Sequence, residues 1–110
     1  MSVFEQGGSA VRDQGVGLTV VYVDGTAEGR VRFSAFLPGS YRVVAFDSFA
    51  AALDELHGVS TFALVACVGD VDLVELLETM SSEYPHVRLQ LVARPVDVDE
   101  VARALTSWSV

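Results

Sequence analysis

The chain of 110 residues contains no lysine, no isoleucine and no asparagine. Its 7 basic residues are all arginine and face 15 acids, for a net charge of -8. This shortage of cations argues against a nucleic-acid surface, because phosphate binding needs clustered positive charge. Arg30 and Arg32 form the densest basic pair, and a pair is not a patch. A single cysteine, Cys67, excludes an internal disulfide and a cysteine-rich metal site. The two histidines, His57 and His86, stand apart from each other and from carboxylates at metal-ligand spacing, so no bound metal is expected. No apolar run approaches the roughly 20 residues that span a bilayer. The amino terminus shows no basic segment followed by an apolar core, so no secretory signal is expected and the predicted location is the cytoplasm. No motif calls for a cofactor or for enzyme activity.

What is present is one domain's worth of chain with a hydrophobic fraction of 51%. The acid excess and the three missing residue types match a GC-rich coding bias and the composition of halophilic proteins. Residues 1–17, "MSVFEQGGSAVRDQGVG", hold no period and read as a flexible tail ahead of a domain over residues 18–110.

Four apolar runs read as strands. They are Leu18 to Val23, Tyr41 to Phe46, Phe62 to Val68 and Val87 to Val92. Four helical patterns alternate with them. The first is capped by Thr26, carries Ala27, Val31, Ala35, Phe36 and Leu37 at helical spacing, and stops at Pro38-Gly39. In its first turn Gly29 costs about 1 kcal/mol relative to alanine. The second is capped by Asp47 or Ser48, buries Phe49, Leu53 and Leu56, and ends at His57-Gly58. The third opens at Asp70 or Asp72 with Leu73, Leu76, Leu77, Met80 and Tyr84 on its apolar face, and closes at Pro85. The last has Asp97 as cap and Glu100 at the third helical position, with Val98, Val101, Ala102, Leu105 and Trp108 as its stripe.

This alternation predicts an α/β fold: a flavodoxin-like parallel sheet of order 2-1-3-4 between two helical layers. Ligands bind such sheets beyond the carboxyl ends of the strands, where the order reverses. That places Asp24 and Cys67 side by side, with Val92 to Pro95 nearby. The fourth strand alternates apolar Val87, Leu89 and Leu91 with Arg88 and Gln90, which suits a sheet edge.

In this order, "VVYVDGTAEGRVRFSAFL", "GSYRVVAFDSFAAALDEL", "FALVACVGDVDLVELLETM" and "RPVDVDEVARAL" resemble the response-regulator receiver domain of two-component signalling, over about Leu18 to Trp108. The resemblance implies a site of two acids holding magnesium, an aspartate accepting phosphoryl, a Thr or Ser, and a Lys before a proline. Those positions fall on Asp24 and Gly25, then Cys67, Val92 and Arg94 before Pro95. One acid and the acceptor are missing, and valine cannot hydrogen-bond a phosphoryl oxygen. One strand-helix unit of a full receiver is also absent, and the loop after Cys67 is about two residues short.

The resemblance therefore implies a pseudo-receiver: a non-catalytic module binding a signalling kinase, a regulator or a second copy of itself. Arg88, Gln90 and Trp108 are its candidate interface, at an open sheet edge and a terminal aromatic. The alternative is a domain responsive to thiol redox or a small anion through Cys67, Asp24 and Arg94. A buried cysteine acting as a small hydrophobe is the plainer reading of Cys67, and helix capping is the plainer reading of Asp70 and Asp72.

Overall fold

The computed structural model describes residues 18–58 and 60–109. The expected tail, residues 1–17, lies outside the described residues. The elements are β1 (Leu18–Val23), α1 (Ala27–Phe36), β2 (Tyr41–Phe46), α2 (Phe49–Gly58), β3 (Ala63–Cys67), α3 (Leu73–Glu83), β4 (Arg88–Val92) and α4 (Val98–Ser109), with a 3-10 turn at Val68–Asp70. All sheet pairings are parallel, and the order is β2-β1-β3-β4. This is the flavodoxin-like 2-1-3-4 arrangement that the alternation predicts. β3 is shorter than the apolar run because Val68 already turns into the 3-10 segment.

β1 and β3 lie inside the sheet and carry the core. Their alternating side chains divide it in two. On one side Val21, Val23, Leu64 and Ala66 meet Phe49, Ala52 and Leu56 of α2 and Leu76 and Met80 of α3. On the other, Val20, Tyr22, Val65 and Cys67 meet Phe33 and Leu37 at α1 and Val98, Val101 and Leu105 of α4. Truncating a fully buried leucine such as Leu64 or Leu105 to alanine is expected to cost about 2–5 kcal/mol.

The expected caps form. Thr26 Oγ1 accepts from Gly29 N at 3.2 Å and Ser48 Oγ from Ala51 N at 3.2 Å. Asp72 accepts from the amides of Val74 and Glu75, and Asp97 from that of Glu100 at 3.1 Å. Asp72, not Asp70, therefore opens α3.

Two helix faces differ from the spacing argument. In α1 the core takes Phe33, with Leu37 just beyond, while Val31 and Phe36 remain 70% and 68% exposed. Tyr22 decides this: its ring stacks on Phe33 with centroids 3.8 Å apart and planes 2° from parallel. In α3, Leu76, Met80 and Tyr84 are buried, but Leu73 and Leu77 are exposed. The sheet ends at β4 among the described residues, so the outer flank of α3 has no neighbouring helix to cover it. β4 is the expected edge strand and pairs only with β3. Residues 93–97 lead from it directly to α4.

Candidate functional site

Asp24, Gly25, Cys67 and Arg94 do converge at the carboxyl ends of β1, β3 and β4, and they bring a further residue with them. Asp24 directly follows β1, has no exposed surface, and receives four donors. Its Oδ1 accepts from Thr26 N at 2.8 Å, Thr26 Oγ1 at 2.8 Å and Arg94 Nη1 at 2.9 Å. Its Oδ2 accepts from Tyr22 Oη at 2.8 Å. Burial by itself raises a carboxyl pKa, but here the Thr26 amide and hydroxyl, aided by Tyr22, outweigh it and hold Asp24 below the usual range.

Asp70 is the residue that sequence reasoning assigned to helix capping. It sits instead at the end of the 3-10 turn, and its carboxylate accepts from Gly25 N at 2.8 Å. Both terminal nitrogens of Arg94 reach it, Nη1 to Oδ2 and Nη2 to Oδ1. The Arg94 hydrogen bonds, then the Gly25 amide, hold its carboxyl below the usual range. Arg94 is pushed up in turn, chiefly by its hydrogen bond with Asp70. One guanidinium thus bridges two carboxylates from different loops, a geometry its planar fork favours.

The glycines make this approach possible. A Cβ on Gly25 would lie 3.1 Å from the Asp70 carboxyl carbon. A Cβ on Gly29 would lie 2.1 Å from Asp24 Oδ2 and 2.7 Å from Thr26 Oγ1. Gly29 is therefore the residue that lets the first turn of α1 close over Asp24, a role no helix propensity reveals.

Cys67 is buried at the end of β3, with its Sγ 3.6 Å from Tyr22 Oη. Tyr22 commits its proton to Asp24, which leaves the thiol to donate to the phenol oxygen. Burial pushes the Cys67 thiol up, with the Tyr22 contact opposing only in part. A protonated, enclosed thiol is a poor nucleophile. Val92 pairs in register with Cys67 and packs into the α1/α4 core. Pro95 follows Arg94 through a cis peptide bond. The candidate interface residues lie elsewhere: Arg88 and Gln90 on β4, and Trp108 near the end of α4, half-buried against the α1/α4 core.

One ligand atom each from Asp24, Cys67 and Asp70 lie within 4.8 Å of one another. A cation there would meet two carboxylates rather than the single one expected from sequence. The set nevertheless does not fit magnesium, which demands oxygen ligands. Its third donor is a thiol, and the Arg94 guanidinium already occupies both carboxylates and offsets one of their two charges. Beside the cluster a cavity of 430 Å³ opens between α1 and the segment after β4, lined in part by Tyr22, Asp24, Arg32, Phe33 and Val96.

No protein-family model matches the chain. No curated protein matches it either. The structure is similar to the signal receiver domain of an HD domain-containing protein from Pseudomonas fluorescens Pf-5, with a TM-score of 0.72 at 15% identity, over 89% of this chain and 90% of that one. At that identity the likeness is one of fold. No helix among the described residues is long and apolar enough to cross a membrane.

Proposed function

We propose that the chain is a pseudo-receiver: a non-catalytic, cytoplasmic signalling module that binds a protein partner or a second copy of itself. The observation that carries this reading is the Asp24–Arg94–Asp70 bridge. It occupies the end of the sheet where a receiver would run phosphotransfer, and it leaves Cys67 where the acceptor aspartate would stand. The receiver fold supports the signalling half of the reading. The module would work by presenting a fixed surface, without a phosphorylation switch.

The surface best suited to this is the β4 edge, with Arg88 and Gln90, together with Trp108. An edge strand offers unpaired backbone groups, and half-covered aromatic residues are enriched at interfaces. The redox and anion alternatives lose support from the site itself. The thiol is buried and protonated, and Arg94 is committed to two carboxylates.

Affinity capture from the native host, at its own salt concentration, tests the proposal when run beside an Arg88→Glu/Gln90→Glu variant. A signalling protein recovered by the wild type and lost by the variant is the expected result. Recovery of identical proteins by both, or of none with the chain monomeric in sedimentation, would refute the edge as the interface.

A further inference from the structure

The opposite end of the sheet carries a second cavity, of 560 Å³, built from the amino ends of β1, β3 and β4. Its polar lining is Thr19, Ser60, Thr61, His86 and Arg88, and its apolar lining is Leu18 and Phe62. Backbone bonds tie these segments together: Phe62 N donates to Thr19 O at 2.9 Å, and Arg88 N to Phe62 O at 3.1 Å.

The chemistry of this lining runs against the composition of the chain. The chain carries 15 acids, yet the described lining has no carboxylate. The lining residues include a guanidinium, an imidazole and the Ser60 hydroxyl. Arg88 has no ion-pair partner among the described residues. Thr61 is only 5% exposed, and its buried Oγ1 has no hydrogen-bond partner among the described residues. A buried hydroxyl without a partner is uncommon, because its desolvation is left uncompensated.

We propose that this cavity binds a phosphate monoester. Phosphate oxygens only accept, while arginine offers a planar fork of donors. The Ser60 hydroxyl and a ring N–H of His86 supply further donors in the same lining. Leu18 and Phe62 provide a wall for the organic part. The volume lies within the usual range for small-molecule pockets, roughly 300–1,000 Å³, so there is room for more than a bare anion. The site shares no residue with the Asp24–Arg94–Asp70 cluster; it shares Arg88 with the proposed β4 interface but not Gln90 or Trp108.

The test is a titration of the full chain with phenyl phosphate, and separately with inorganic phosphate, at fixed ionic strength, followed by amide and histidine ring NMR. Saturable shifts at Thr19, Thr61, His86 and Arg88 are expected, with phenyl phosphate binding more tightly. Removing the charged fork in Arg88→Gln should weaken phenyl phosphate about tenfold or more. Thr61→Val, which keeps the side chain's shape, provides a second variant expected to alter shifts at this end only. Three results would overturn the proposal: no saturable shift, equal binding of the two probes, or an unchanged affinity in Arg88→Gln.

Discussion

The two ends of the sheet treat an arginine in opposite ways. At the carboxyl ends, Arg94 is held by Asp24 and Asp70, and Asp24 is closed off further by Tyr22 and Thr26. At the amino ends, Arg88 lines a cavity with Ser60 and His86, with no carboxylate among the described residues lining it. In the first cluster one guanidinium engages both carboxylates, which ties the loops after β1, β3 and β4 to one another. The second leaves charge and donors unanswered. In parallel sheets the carboxyl end is the usual seat of chemistry; here that end holds an arginine bridging two carboxylates.

If this contrast holds, substitutions at the carboxyl end should be expensive and those at the amino end cheap. Asp24→Ala should have the largest effect, a loss of about 3–5 kcal/mol in urea unfolding, because it strands a buried phenol and uncovers a paired cation. Gly29→Ala comes next. In an ordinary exposed helix this change gains up to about 1 kcal/mol. Here the new Cβ meets Asp24 and Thr26, so a loss of about 1–3 kcal/mol is expected. Arg94→Gln should cost about 1–3 kcal/mol, the usual penalty for leaving charged partners unpaired. Arg88→Gln should fall within about 0.5 kcal/mol of the wild type, as a surface change that breaks no contact.

Acid sharpens the same comparison. Asp24 and Asp70 are both held below the usual carboxylate range. Their stabilisation is therefore complete above that range and is lost as pH falls through their depressed values. Asp70→Asn should be less stable than the wild type at neutral pH. The gap should close as pH drops below the ordinary carboxylate range, measured by urea unfolding at a series of pH values.

Much of the fold was legible because its signals are local. Strands ended at Asp24-Gly25 and Cys67, and Thr26, Ser48, Asp72 and Asp97 capped helices through amides two or three residues ahead. The face of α1 was not legible. Val31, Phe33, Ala35, Phe36 and Leu37 spread apolar surface around the helix, and only the ring of Tyr22 on the neighbouring strand selects Phe33. The site was half legible. Topology placed Asp24, Cys67 and Arg94 together, but the bridge joins residues 70 apart in the chain, and Asp70 looks like any helix-opening acid. Gly29 appeared as a weak helix residue because propensity does not register the carboxylate lying over it.

Under the proposed function, the carboxyl-end cluster is closed by its own arginine and does not take up a phosphoryl group with magnesium. The most direct test is amide NMR of the full chain titrated with beryllofluoride and magnesium. No saturable change is expected at Asp24, Gly25, Cys67, Asp70 or Arg94. Magnesium-dependent, saturable shifts at those residues would contradict it and restore a working receiver site.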